Sequence, residues 1–323
     1  MANNRPENPS LGLVIPCYNK EAALPHLLAS LETIQKKANI PIRVLLVDDG
    51  SQDRTYEIIA AAIHPGSNLA CIRFSRNFGH QIAVSAGLHY VVGDVIGVID
   101  ADLQDPPEVL LKMVNKWREG FDVVYGVRRN RKENLLLRSA YSLFYRMLQR
   151  ISNVEIPLDA GDFCVMDRRV VELIKQMPEH TPLIRGLRSW VGFRQTGLEY
   201  ERAARVDGDS KYSLSRLANL AVHGIVSFSA LPLRLAAWLG FFTSIVGFAL
   251  MLWAIVGVLA FGKTPPGWAS LAVIVLFFSG VQLIVLGIIG EYLGRIFEEV
   301  KNRPRFIVES SVGWVAVPRQ PGA

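Results

Sequence analysis

At 323 residues, 50% of them hydrophobic, the chain has room for one large domain or two modest ones, and a mean hydropathy of +0.24 is high for a purely soluble protein. A formal charge of +6 would suit a nucleic-acid binder, but the basic residues are not interleaved with aromatics in any DNA- or RNA-binding pattern, which excludes nucleic acid as the partner. They gather at Arg128, Arg129 and Arg131 and beside two uncharged stretches, a placement that fits an anionic lipid surface or an anionic lipid substrate.

Met1 to Ser10 is polar, so no cleaved signal peptide is expected. Leu11 to Ile15 is a short apolar strand broken by Pro16, and helical periodicity follows from Glu21 to Lys37. Strands are then predicted at Ile42 to Val47, Ala70 to Phe74, Val95 to Ile99 and Asp122 to Val127. Helices are predicted between them at Asp53 to Ile63, Gln81 to Val92 and Pro107 to Glu119. This alternation predicts an α/β layer with a mostly parallel sheet, whose ligands bind beyond the carboxyl ends of the strands. Leu135 to Ile151 reads as a helix at a membrane interface or packed on the soluble core, and Leu214 to Phe228 as a second interfacial helix.

No charged residue lies between Arg234 and Lys263, nor between Lys263 and Glu291. Each stretch exceeds the roughly 20 residues that a helix needs to cross a bilayer. The Gly and Pro residues of 261–267 predict a tight turn between them. Arg234 before the first stretch and Arg295, Lys301, Arg303 and Arg305 after the second predict that both chain ends are cytoplasmic. Cys17, Cys71 and Cys164, odd in number and far apart, predict reduced thiols without zinc spacing. The tail from Phe306 has weak strand character. The predicted organisation is a cytoplasmic α/β domain over 1–212, an interfacial helix over 213–233, a membrane hairpin over 234–294 with helices at about 235–260 and 269–290, and a cytoplasmic tail over 295–323.

Polar clusters follow the first four strands: Cys17-Tyr18-Asn19, Asp48-Asp49-Gly50-Ser51, Ser75-Arg76-Asn77-Phe78-Gly79 and Asp100-Ala101-Asp102-Leu103-Gln104. Any one would pass as a turn or helix cap. Four at successive strand ends mark a site. Asp100 and Asp102, two residues apart at a strand end, send both carboxylates to one side, where hard oxygen ligands can share a divalent cation that holds a diphosphate.

With these motifs in order, followed by Asp105-Pro106-Pro107, the chain resembles family 2 glycosyltransferases of the GT-A fold. More narrowly, it is similar to bacterial polyprenyl-phosphate glycosyltransferases, the bactoprenol glucosyltransferases, which are relatives of dolichol-phosphate mannose synthase. Residues 160–168, Arg205 to Tyr212 and Gly290 to Arg295 extend the resemblance, which runs from about Leu11 to about Val308. It implies a Rossmann-like GT-A domain joined to interfacial helices and a two-helix transmembrane hairpin in the plasma (inner) membrane, and a homo-oligomer, a tetramer in similar proteins.

The resemblance also implies an inverting hexosyl transfer from a UDP-sugar, glucose first among the candidates, to polyprenyl phosphate. Asp100, Asp102 and the Gln104 side chain are the implied metal set for Mg²⁺ or Mn²⁺. Asp49 is implied to bond the uracil edge, with Pro16 and Tyr18 as the wall beside the base. Arg128, Arg138 and Ser142 are implied to hold the lipid phosphate, while Arg205 and Lys211 approach the phosphates from a closing loop. Asp162 is the implied catalytic acid or base, here read as positioning the acceptor, since a phosphate monoester with a second pKa of roughly 6 scarcely needs deprotonation.

The chain departs from the family pattern at Lys20, where the family has Glu; the acid comes one position later, as Glu21. The Gln-x-x-Arg-Trp signature of processive synthases is missing, because Ser189 precedes Trp190, which argues against chain elongation. Two other readings stay open on the sequence: a membrane-tethered transferase acting on a polysaccharide or protein, and a non-enzymatic membrane scaffold.

Overall fold

The computed structural model describes residues 5–129, 160–180, 182–201, 231–261 and 267–317. These fall into two compact units, one comprising 5–129, 160–180, 182–201 and 303–317, the other 231–261 and 267–302.

The first unit is built on β1 (Leu11–Cys17), α1 (Leu24–Lys37), β2 (Ile42–Asp48), α2 (Thr55–Ala62), β3 (Leu69–Phe74), α3 (His80–Tyr90), β4 (Val95–Val98), α4 (Glu108–Arg118) and β5 (Val123–Arg129). It continues with β6 (Ala160–Asp167), α5 (Arg168–Lys175), α6 (Ile184–Trp190) and β7 (Gln195–Glu201), and after the second unit returns as β8 (Val308–Gly313). The strands form one sheet in the order β7-β5-β6-β4-β1-β2-β3-β8. Strands β1 to β4 pair in parallel, as do β5 and β7, while β6 runs against β4 and β5 and β8 against β3.

Both faces of the sheet are covered, which is why its central strands read as continuous apolar runs. On one face Leu11, Leu13 and Ile15 of β1 and Val44 and Leu46 of β2 meet Leu24, Leu27 and Leu31 of α1 and Leu110, Met113 and Trp117 of α4. On the other, Val14, Leu45 and Val47 meet Ile82, Val84 and Leu88 of α3 and Val170 and Ile174 of α5. Gly87 of α3 permits the close approach, since a Cβ there would lie 2.1 Å from Val14 Cγ1. After β3 the chain crosses to the opposite face and returns to place β4 beside β1, so the strand order reverses there. Such a reversal opens a crevice at the carboxyl ends of β1 and β4.

Pro16 does not end β1. Val14 O accepts from Ile99 N and Cys17 O from Asp49 N, so alternate residues face β4 and β2 in turn. Pro16 faces the β4 side, where pairing has already stopped at Val14 and Val98, so its missing N–H costs no ladder bond.

The second unit contains α7 (Leu231–Phe261) and α8 (Trp268–Val300). Within them, Pro232–Gly257 and Val273–Val300 are long and apolar enough to cross a membrane, and neither is buried by protein. The two helices touch, with an ideal Cβ on Gly247 falling 3.5 Å from Phe278 Cζ. α8 runs on to Val300, well past the expected end of the second span. Its last turns carry the Arg295–Glu291 and Lys301–Glu298 ion pairs, and Lys301 lies over the Phe297 ring.

The tail beyond α8 is not a separate segment. Phe306 stacks on Phe74 with ring centroids 5.3 Å apart, Arg305 Nη2 donates to Met177 O at 2.7 Å, and β8 then closes the β3 edge. The interfacial helices expected at 135–151 and 214–228 lie outside the described residues.

Candidate active site

The loop after β1 is laced to the start of α2. Asn19 N donates to Ser51 Oγ at 3.0 Å, Gln52 N to Asn19 Oδ1 at 2.9 Å and Lys20 N to Thr55 Oγ1 at 2.7 Å. Arg54 N donates to Glu21 Oε2 at 3.1 Å, so the displaced acid serves the start of α2. Asn19 takes a positive φ of 51°, which an Asn tolerates.

After β2, Asp49 is buried and organises the loop after β3. Its Oδ1 accepts from Phe78 N at 2.7 Å, and its Oδ2 accepts from Gly79 N and Asn77 Nδ2, each at 3.0 Å. Burial pushes its carboxyl up against the pull of these amides. Gly50, at φ +66°, lets the two loops meet, since a Cβ would fall 2.4 Å from the Arg76 carbonyl carbon.

A cavity of about 360 Å³ opens where these loops converge, lined by Pro16, Tyr18, Asp49, His80, Asp100 and Asp102 among others, a size suited to a small-molecule ligand. Asp100 Oδ1 is buried without a hydrogen-bond partner among the described residues, and His80 Nε2 lies 3.7 Å from it. Burial pushes the Asp100 carboxyl up to about 6; His80 opposes the rise, while Asp162, Asp102 and Asp105 add to it. Asp102 Oδ1 accepts from Gln104 N at 3.1 Å across a turn in which Leu103 has φ 57°, a strained backbone of the kind that collects at functional sites.

Asp162 stands inside β6 rather than at a helix start; the helix cap is Asp167, which accepts from Arg169 N at 2.9 Å. Asp162 Oδ2 accepts from Gln81 Nε2 at 2.7 Å and lies 3.4 Å from His80 Nε2. Burial works to raise its carboxyl, but the bond and charge of His80, with Arg185 and Gln81, outweigh it and hold the group below its ordinary value. The bond to Asp162 and the charges of Asp100 and Asp49 raise the His80 imidazolium despite burial.

The fold thus gathers Pro16, Tyr18, Asp49, Asp100 and Asp102 around one cavity, with Asp162 linked to it through His80. Gln104 is buried but does not line that cavity, so the metal-type donors facing it from the expected set are the two carboxylates. The backbone of Arg128 sits in β5 opposite Tyr200. Arg138, Ser142, Arg205 and Lys211 lie outside the described residues. Sequence reasoning passed over His80 and Gln81, and Lys20, seen there only as a departure from the family pattern, lines the cavity. The available signal was position: His80 and Gln81 directly follow the third strand-end cluster and open α3.

The model of the family described as "Glycosyl transferase family 2" matches residues 13–174. The "Uncharacterized glycosyltransferase YkcC" of Bacillus subtilis is 45% identical over 93% of this chain and 94% of its own length. The "Bactoprenol glucosyl transferase" of Shigella phage SfII is 40% identical over 93% of this chain and 98% of its own. Among solved structures, a mannosyltransferase from Pyrobaculum calidifontis in complex with GDP-Man and Mn²⁺ is similar to 92% of this chain and covers 76% of its own, at a TM-score of 0.45 and 16% identity.

Proposed function

The chain belongs to glycosyl transferase family 2, and from that premise we propose that it moves a glucosyl residue from UDP-glucose to polyprenyl phosphate, inverting the anomeric centre. The observation that carries this reading is the cavity at the reversal of strand order, where an acid pair faces Pro16, Tyr18 and Asp49. The likeness to a bactoprenol glucosyl transferase over nearly the whole of both chains supports the sugar and the acceptor.

A divalent cation fits the donor set. Asp100 and Asp102 offer hard oxygens, and Asp100 Oδ1 is a buried acceptor with no hydrogen bond to lose. Among the described residues no cluster of three His, Cys, Asp or Glu side chains suits a metal, so the chain supplies these two carboxylates to Mg²⁺ or Mn²⁺. When bound, the ion offsets negative charge on the departing diphosphate. Tyr18 and Pro16 wall the base, and Asp49, which also fixes the loop after β3, bonds the uracil edge. Asp162, kept ionised by His80, orients the acceptor or its counter-ion. The acceptor is already an anion, so positioning and charge screening replace base catalysis. Arg128, Arg138, Ser142, Arg205 and Lys211 supply phosphate recognition in this reading.

The deciding experiment incubates the purified full-length chain with undecaprenyl phosphate and a panel of UDP-glucose, other UDP-hexoses and GDP-mannose, reading the lipid by mass spectrometry. A hexosyl phospholipid formed from UDP-glucose is expected, with a β linkage by NMR. Transfer to a polysaccharide or protein with the lipid inert overturns the acceptor assignment.

In the same reading α7 and α8 span the plasma membrane with both chain ends cytoplasmic. The basic residues Arg234, Arg295, Lys301, Arg303 and Arg305 on the outer flanks support that orientation. Cys17, Cys71 and Cys164 are buried, and burial raises all three thiols, Cys71 to about 12, so they leave a quiet background for labelling. A single new cysteine at Lys263 is expected to react with an impermeant maleimide in intact cells while one at Asn302 is protected; the reverse pattern refutes the orientation. A homotetramer is the assembly proposed, to be read by sedimentation in detergent.

A further inference from the structure

Asp162 is held from one side. Its Oδ2 takes the Gln81 Nε2 donor at 2.7 Å and faces His80 Nε2 at 3.4 Å, whereas the buried Oδ1 has no hydrogen-bond partner among the described residues. The other amide atom of Gln81 is also committed, because Oε1 accepts from Ile184 N at 3.0 Å. Ile184 is the first residue of α6, where a backbone N–H has no acceptor within its own helix. A carboxylate offers only acceptors and an N–H only a donor, so one orientation of the Gln81 amide serves both neighbours and the flipped one serves neither.

We infer that Gln81 is a positioning residue for the transfer, fixing Asp162 with Oδ2 saturated and Oδ1 kept for the counter-ion of the acceptor phosphate. The inference rests on the role proposed for Asp162. His80 cannot replace Gln81, because it is shared with Asp100 and has no link to α6 in the network around Asp162. Among the described residues Gln81 alone ties the Asp162 carboxylate to the backbone of a neighbouring element, so thermal motion of β6 and of α3 is not free to swing it.

The test uses the full-length chain in detergent, with undecaprenyl phosphate and UDP-glucose. Gln81→Met keeps the volume and removes both hydrogen bonds; Gln81→Glu keeps an acceptor for Ile184 N and sets an oxygen against Asp162 Oδ2. Both variants are expected to lower kcat by about tenfold or more, with the donor KM within about twofold of wild type. In an Asp162→Asn background, Gln81→Met is expected to change the residual kcat by less than about twofold, because the carboxylate it served is gone. A merely structural Gln81 lowers the two backgrounds alike. A large Asp162→Asn loss combined with a full, multiplying Gln81→Met loss overturns the assignment of Gln81, as does wild-type kcat in Gln81→Glu. A wild-type rate for Asp162→Asn alone instead overturns the reading of the site.

Discussion

At the amino ends of the parallel strands Asp122 and Asp167 are matched by cations and donors, whereas at the carboxyl ends Asp100 and Asp162 share one histidine. Arg5, half-buried with its guanidinium turned inward, reaches Asp122 at 2.7 Å while lying 4.6 Å from the centre of the Trp117 ring, and Trp117 Nε1 donates to Asp167 at 2.8 Å. Arg169 adds a second contact to Asp122 at 2.8 Å. Among the described residues nothing comparable faces Asp100, whose Oδ1 has no hydrogen bond and whose carboxyl is raised by burial to about 6. The same residue type at opposite ends of one sheet therefore does opposite work. One end is closed by charge pairing and holds the fold together; the other carries uncompensated negative potential that a cation can relieve, at some expense of stability.

Substitutions at the two ends should dissociate activity from stability. Asp100→Asn is expected to lower glucosyl transfer by at least about a hundredfold, the scale of losing one preorganised charge contact. Its melting temperature should equal or exceed that of wild type, because a buried charge has been replaced by an amide. Asp122→Ala should do the reverse, costing about 3 kcal/mol of stability because the Arg5 guanidinium is left buried without its carboxylate. The specific activity of its folded fraction should match wild type. Thermal melts and initial rates on the two purified variants check both. An Asp100→Asn protein that melts early, or a stable and inactive Asp122→Ala protein, breaks the contrast.

The carboxyl-end site was more legible in the sequence than the amino-end network. Asp100 and Asp102 stand out as an acid pair directly after an apolar strand, although the turn beyond β4 and not strand spacing brings both to the cavity, and successive strand-end clusters mark where β1 to β4 open. Arg5, Asp122 and Asp167 are far apart in sequence and belong to no local pattern, so their meeting depends on β6 running antiparallel beside β4 and β5. β6 itself carries Asp162 in mid-strand, which strand periodicity in a short mixed run did not reveal. The β8 pairing was hidden for the same reason: its partner β3 lies more than two hundred residues earlier, and a solvent-facing edge strand shows alternation too weak to be read. Gln104 is readable only by its position in the acidic turn, and the structure adds that it is buried beside the cavity lining rather than part of it.

The smallest expected effect tests whether the charge imbalance at Asp100 is used. A carboxyl raised from 3.8 to about 6 binds its proton more tightly in the folded chain than in the unfolded one, so between those values the metal-free fold loses stability as pH rises. A cation bound at Asp100 and Asp102 competes with that proton. Its apparent affinity should therefore be nearly level above pH 7 and fall by about tenfold between pH 7 and pH 5, as the proton takes over Asp100. Protonated His80, 3.7 Å from Asp100 Oδ1, acts in the same direction by repelling the ion. Calorimetric titration with Mn²⁺ alone at pH 5, 6 and 7 measures this without the titrating phosphates of the nucleotide. Asp100→Asn should bind Mn²⁺ weakly and lose the pH slope, while Asp122→Ala, at the closed end of the sheet, should retain both the affinity and the slope of wild type. An affinity independent of pH in the wild-type chain, or a slope that survives in Asp100→Asn, shows that the cation is held elsewhere and that the unpaired carboxylate has another use.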